Sequence, residues 1–284
     1  MDEQFVDLPE TQVFVRAWGE PDARPVLYWH GVNLRGRASM ALNEAGPWLA
    51  EHGLRIVALD APGFGGSPPL EPAAYHPHAL ADLVPPLLDA LDIERAPFVG
   101  FSWGGDVGCH VAARHGDRLT ALVILDAAYN DPPFDPSQPL AEYVAENEAA
   151  WEEYVQPSWD AAFAEARERF RRWNPAIEAS VRSGRREQDG LIVPNGDPRV
   201  VAAVERGIAQ APPSSTRRAL AQSGLPILLV ASDDAAEEAL AGFASGVPQA
   251  EIHRPGGVGH DVLIDGGPEV VHFVGAWLEL LPHY

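Results

Sequence analysis

The 284-residue chain contains no lysine; all 20 of its basic residues are arginine. Schiff-base catalysis and P-loop phosphate binding each use a primary amine, so the absence argues against both. A single cysteine, Cys109, leaves no partner for an internal disulfide and no basis for a multi-cysteine metal site. Basic charge is scarce as well, with 20 arginines against 41 Asp plus Glu, a formal net charge of −21. A chain this acidic repels nucleic acid and anionic membrane surfaces. Long apolar runs are missing. Stretches such as Pro226 to Ala231 fall far short of the ~20 residues that cross a bilayer. The opening residues Met1-Asp2-Glu3-Gln4 are acidic and lead into no secretory signal pattern. These absences together predict a soluble, cytoplasmic protein.

Apolar residues make up 46% of the chain, including 8 Trp, 10 Phe and 6 Tyr, enough for a large core. The length approaches the upper limit for one hydrophobic core, which predicts a domain carrying a large insertion. Short apolar runs at Gln12–Trp18, Pro25–Trp29, Leu54–Leu59, Pro97–Phe101 and Leu119–Leu125 read as strands. Segments with helical spacing, Ala38–Ala50, Ala79–Leu91 and Trp103–Arg114, separate the later ones. Continuous apolar strands alternating with helices predict a mostly parallel sheet covered on both faces. No helix separates the first two runs, so these are expected to form an antiparallel edge.

The rhythm stops after Leu125, and no convincing strand follows before Thr216. It resumes with strands at Leu225–Ala231 and Gln249–Arg254 and helices at Asp234–Phe243 and Pro268–Leu281. The expected architecture is therefore α/β: an eight-stranded, mostly parallel sheet built from residues 1–126 and 217–284. Residues 127–216 form a helical insertion over the carboxyl ends of the strands, where open α/β sheets bind ligands. Proline clusters at Asp131–Pro139 and Ala211–Pro213 bracket it as hinges.

The sharpest chemical signal is Gly100-Phe101-Ser102-Trp103-Gly104, a G-x-S-x-G between a strand and a helix. In that context serine sits in a strained turn with its hydroxyl above the sheet. A serine hydroxyl needs a base. Of the ten histidines, His260 stands in Gly256-Gly257-Val258-Gly259-His260, a loop after the last strand on the same sheet edge. An acid must orient the base, and Asp233 and Asp234 follow the strand Leu225–Ala231. One of them can instead cap the next helix. Donors for a developing oxyanion are expected from the Trp103 amide and from the loop His30-Gly31-Val32-Asn33, with Val32 as the donor.

These pieces, with Asp60-Ala61-Pro62-Gly63-Phe64-Gly65-Gly66-Ser67, resemble the serine α/β-hydrolase family over most of the chain outside the insertion. The resemblance implies a triad of Ser102, His260 and, by family spacing, Asp234. It implies that residues 127–216 are a cap shaping the substrate pocket and that Asp60–Ser67 is a structural turn. In some relatives the acid sits instead at the strand edge occupied here by Asp126. Members with an aspartate nucleophile cleave epoxides or carbon–halogen bonds; Ser102 at the elbow argues against both.

The implied activity is hydrolysis of a carboxylic ester, lactone or related small acyl compound, with no cofactor or metal. A proline-releasing aminopeptidase or amidase on the same triad is a second reading, supported by Trp103 after the nucleophile and by the acidic stretch Pro139–Pro157. Glutamates facing the pocket there would select a cationic substrate, whereas a solvated helix face is the plainer expectation. A third reading is a small-molecule receptor that keeps the fold. The pairs Glu165–Arg169 and Glu168–Arg172 have i,i+4 spacing. Cys109 reads as a small core residue. Trp29 and Trp103 read equally as core or as pocket lining.

Overall fold

The computed structural model describes residues 1–32 and 39–282. Asn33 of the expected oxyanion loop, Ala38 of the first expected helix and His283 lie outside the described residues. Strands β1 (Asp2–Asp7), β2 (Gln12–Trp18), β3 (Arg24–Trp29), β4 (Leu54–Asp60), β5 (Ala96–Phe101) and β6 (Leu119–Leu125) precede the insertion. Strands β9 (Ile227–Val230) and β10 (Ala250–His253) follow it. They make one eight-stranded sheet in the order β1-β2-β4-β3-β5-β6-β9-β10. From β4 to β10 all neighbours are parallel, while β1–β2 and β2–β4 are antiparallel. The antiparallel edge is thus the β1–β2 hairpin. The expected pairing of the first two apolar runs does not occur, because β4 inserts between β2 and β3. Burial explains the difference: β3 ends in four buried residues and suits the interior, whereas every other residue of β1 but Val6 is exposed.

Side chains alternate between the two faces along the middle of the central strands. Along β6, Leu122 and Ile124 join one core while Ala121, Val123 and Leu125 join the other. Ile227 and Leu229 of β9 face the first core, and Leu228 and Val230 the second. The first core is covered by α3 (Val84–Ala90), α4 (Trp103–His115), α9 (Arg217–Ser223) and α10 (Glu237–Gly246). The second is covered by α1 (Ser39–Ala50) and α11 (Val262–Glu279). The segment read as one helix over Ala79–Leu91 divides into α2 (Pro77–Ala81) and α3, because Pro85 and Pro86 fall where a continuous helix needs amide donors. Helix α11 starts six residues earlier than the pattern indicates and carries a break at Gly267, with φ +52°.

Between β6 and β9 lie α5 (Leu140–Glu153), α6 (Trp159–Arg169), α7 (Pro175–Ser183) and α8 (Pro198–Gln210). They are accompanied by a two-stranded antiparallel hairpin of β7 (Arg185–Gln188) and β8 (Leu191–Pro194), where no strand was expected. Its turn, Asp189-Gly190, has φ of +52° and +77° at the two positions, the geometry that Asp-Gly favours. The strand Arg-Arg-Glu-Gln is too short and too charged to register as apolar. Residues of this insertion reach helix α1 and the loops leaving the carboxyl ends of β9 and β10, so it stands over that edge of the sheet.

Candidate active site

Ser102 occupies the turn from β5 to α4 with φ +50° and ψ −124°, a conformation L-residues avoid. Such strain costs about 1–3 kcal/mol and persists only where the surroundings enforce it. Here the enforcement is close packing. A Cβ on Gly100 would meet the Gly104 carbonyl oxygen at 2.2 Å, and one on Gly104 would meet the Trp29 carbonyl oxygen at 2.2 Å. The glycines of the motif let strand and helix backbones touch. The Ser102 N–H donates to the Leu125 carbonyl at 2.9 Å, and its carbonyl accepts from the Gly105 N–H at 2.7 Å. The turn is thereby fixed on both sides of the nucleophile.

His260 meets Ser102 across the sheet edge, with Nε2 3.1 Å from the serine Oγ. The other ring nitrogen, Nδ1, lies 2.7 Å from Oδ2 of Asp126. A carboxylate can only accept there, so Nδ1 carries the proton and Nε2 presents a lone pair to the serine hydroxyl. The His260 side chain is 48% exposed, whereas that of Asp126 is 3% exposed. Asp126 closes β6 with φ +48°, and its Oδ1 accepts from the Ser232 N–H at 2.7 Å and the Tyr129 hydroxyl at 3.1 Å. Burial opposes its ionisation, but the His260 and Ser232 hydrogen bonds outweigh burial and hold the carboxyl below its usual range. Burial, then the Asp126 charge, pushes the Tyr129 phenol up, so at neutral pH it remains a donor to the carboxylate.

The acid that faces His260 is therefore Asp126 rather than Asp234. The Asp234 side chain is 75% exposed and lies 4.0 Å from the Arg171 guanidinium. Asp233 accepts from the Gly257 N–H at 2.8 Å and from Arg171 at 3.1 Å. Neither residue caps α10, whose N-cap is Ala236. Strand order supplies the reason. β6 pairs directly with β5, so a residue at the tip of β6 is one strand from the nucleophile, whereas Asp233 and Asp234 leave β9, two strands away. The available signal was an acid ending a seven-residue apolar strand immediately after the elbow strand.

Gly31 lies against the nucleophile; a Cβ there would come within 3.0 Å of the Ser102 Cβ. Val32, half-buried, follows directly. His30 anchors this loop from below. Its Nδ1 donates to the Gly31 carbonyl at 2.7 Å and its Nε2 accepts from the Ala61 N–H at 3.0 Å. Burial, set against the Asp60 charge, depresses its pKa, in keeping with a neutral ring in a structural role. Trp103 begins α4, so its N–H has no carbonyl one helical turn back. The indoles of Trp29 and Trp103 are 0% and 2% exposed and pack edge to face at 5.8 Å, which makes both core residues. Cys109 is wholly buried, and burial raises its thiol pKa.

The acidic helix turns its glutamates outward. Glu142, Glu146, Glu148, Glu152 and Glu153 are all exposed, and α5 buries Tyr143 and Asn147 instead. The charges of the next stretch also make longer-range pairs: Arg169 binds Asp261, Arg172 binds Glu44 and Glu165 binds Arg185. No cluster of His, Cys, Asp and Glu suited to a metal ion occurs among the described residues, and none of their helices is long and apolar enough to cross a membrane.

A family model described as the alpha/beta hydrolase fold matches residues 24–267. Over 104 residues the chain is 40% identical to a Mycobacterium phage D29 protein named "Putative non-heme haloperoxidase", covering 37% of this chain and 36% of that one. Over 125 residues it is 37% identical to epoxide hydrolase A of Mycobacterium tuberculosis (strain ATCC 25618 / H37Rv), covering 43% and 38%. The matches thus span a little over a third of the length of these curated relatives. Among solved structures, the thioesterase domain from the curacin biosynthetic pathway matches with a TM-score of 0.76 at 19% identity, covering 98% of each chain, a likeness of fold.

Proposed function

The chain belongs to the alpha/beta hydrolase fold family, and from that premise we propose that it is a serine hydrolase acting on a carboxylic ester, lactone or related acyl compound. The observation that carries this reading is the contact series Ser102 Oγ–His260 Nε2 at 3.1 Å and His260 Nδ1–Asp126 Oδ2 at 2.7 Å, with the serine in a strained elbow. In the proposed cycle Ser102 Oγ attacks the acyl carbonyl carbon while His260 Nε2 takes its proton. Asp126 stabilises the imidazolium that forms and fixes the tautomer. The Val32 and Trp103 amides receive the carbonyl oxygen as it gains charge. His260 then protonates the leaving oxygen. Water, deprotonated by the same nitrogen, attacks the acyl-enzyme and frees Ser102.

Residues 127–216 would act as the cap that sets acyl-group choice, since their helices stand over the sheet edge carrying Ser102. The nucleophile's identity separates this chain from epoxide and carbon–halogen cleavage through an aspartyl ester. The aminopeptidase reading draws no support from α5, whose glutamates are exposed. The test is labelling with a small fluorophosphonate, together with a panel of nitrophenyl esters of varied acyl length, on wild type and Ser102→Ala. Adduct on Ser102 and ester turnover lost in the variant are expected. Wild-type protein that neither labels nor turns over any ester removes the proposal.

A further inference from the structure

Three acids surround the His260 loop, and all three share one partner segment in the insertion. Asp261, the residue after His260, accepts through Oδ2 from both Nε and Nη2 of Arg169, at 3.1 and 2.8 Å. Asp233 accepts through Oδ2 from the Gly257 N–H and from Arg171 Nη1, at 2.8 and 3.1 Å. Asp265 accepts from the Gly259 N–H through Oδ2 at 3.1 Å and from the Arg171 backbone N–H through Oδ1 at 2.9 Å. The next residue, Arg172, donates to the Ile264 carbonyl at the start of α11 and to Glu44 of α1. Apolar packing follows the same line: Phe163, Phe170, Ile177 and Val181 of the insertion gather on Ile264. The histidine loop is anchored at Val258, which is buried in the second core and whose carbonyl accepts from the Asp233 N–H at 2.8 Å, but its glycines leave the rest of it free to move. It contains three glycines in four residues, with φ +79° at Gly257, and the side chain it carries is 48% exposed.

We propose that the strap Arg169–Arg172 is a positioning device for His260, so that docking of the insertion and alignment of the catalytic base are one event; this rests on the serine-hydrolase reading above. Each acid has one hydrogen bond to the His260 loop or lies in it, and another to the strap. With the strap docked, the loop's amides and Asp261 are pinned and His260 Nε2 stays within reach of Ser102. With the strap lifted, a glycine-rich loop regains its conformational freedom and the base moves off line. The arrangement makes Asp233 and Asp261 bridges between insertion and base, which accounts for acids near His260 that do not touch its ring. Substrate held beneath the insertion would favour the docked state and therefore the competent histidine.

The experiment measures the rate of Ser102 labelling by a small fluorophosphonate, a probe chosen to react without contacting the insertion. Arg169→Gln, Asp261→Asn and Arg171→Met are each expected to slow labelling about tenfold or more, since small displacements of a catalytic group carry large rate penalties. The exchanged pair Arg169→Asp with Asp261→Arg is expected to regain much of that loss. Arg167→Gln, an exposed arginine on the same helix that lies over the Trp173 ring, serves as control and should label at the wild-type rate. The proton resonance of His260 Nδ1–H, sharp in wild type, should broaden in the strap variants while the thermal midpoint stays well above the assay temperature. Strap variants that label within twofold of wild type overturn the inference. So does a slowing shared equally by Arg167→Gln, or one that tracks only the unfolded fraction. If wild type itself fails to label, the serine-hydrolase reading fails and takes the strap with it; if wild type labels and Ser102→Ala does not, a flat response in the strap variants counts against the strap alone.

Discussion

Asp126→Asn tests the arrangement of the site most directly. The amide matches the carboxylate in size, and its Oδ1 can keep the bonds from the Ser232 N–H and the Tyr129 hydroxyl. The change falls on Oδ2, 2.7 Å from His260 Nδ1. An amide nitrogen there is a donor, so the ring must shift its proton to Nε2 to avoid two donors facing each other. Nε2 then carries a hydrogen toward Ser102 and cannot take one. By analogy with another serine triad, an error of this kind costs about 10⁴-fold in turnover, or about 5 kcal/mol of barrier. Asp234→Asn is the matched control: its side chain is 75% exposed and 4.0 Å from Arg171, so screening leaves it worth little. Activity within about twofold of wild type and stability within about 0.5 kcal/mol are expected. Steady-state ester hydrolysis, with circular dichroism melts on the same samples, reads both quantities. A folded Asp126→Asn enzyme keeping a tenth of wild-type turnover would refute the reasoning, as would equal losses in the two variants.

Gly104→Ala is expected to lose several kcal/mol of stability or the elbow itself, because the new Cβ falls 2.2 Å from the Trp29 carbonyl oxygen; a melt unchanged within 1 °C contradicts this. Ser102→Ala and His260→Ala should each remove at least about 10³-fold of turnover, and the double variant should be no worse, since the residues act as a unit; additive losses would argue against a shared mechanism. Burial pushes the Asp106 carboxyl up to about 8, with the Ala128 hydrogen bond opposing and the Asp131 charge adding to the rise. The unfolded chain releases this proton near pH 4 and the folded one near 8, so this group's share of stability falls as pH rises across that window, by about 1.4 kcal/mol per unit. Asp106→Asn should therefore gain on wild type from pH 5 to pH 8 and level off above; a pH-independent difference in chemical denaturation would exclude the effect. For Asp126 the sign is opposite. Its carboxyl is held low, so its stabilisation is full above about pH 4 and is lost as pH falls through the folded value; wild type should lose more stability than Asp126→Asn on acidification below pH 4.

Periodicity and local sterics determined much of this protein without reference to tertiary structure. The alternation of apolar runs with helical segments specified the layered α/β fold, because a strand buried on both faces and a helix buried on one leave different patterns. Ser102 was legible for the same local reason: only glycine tolerates the contacts at positions 100 and 104, so strand, motif and helix had to appear together. His260 could be read from a glycine-rich loop at the right edge. The hairpin β7–β8 escaped because its strands are only four residues long and β7, Arg-Arg-Glu-Gln, is wholly polar, whereas the glutamates of α5 lie on the solvated face that was the plainer expectation. The acid was decided elsewhere. Asp126, Asp233 and Asp234 all follow strands, and nothing local distinguishes a carboxylate facing a histidine from one facing an arginine. That choice depends on β6 lying between β5 and β9, which places Asp126 one strand from Ser102 and leaves Asp233 to the Gly257 amide and Arg171. Strand order and the docking of residues 169–172 are long-range pairings, set by how buried faces and charges meet once the chain has closed on itself, and only the tertiary structure contains them.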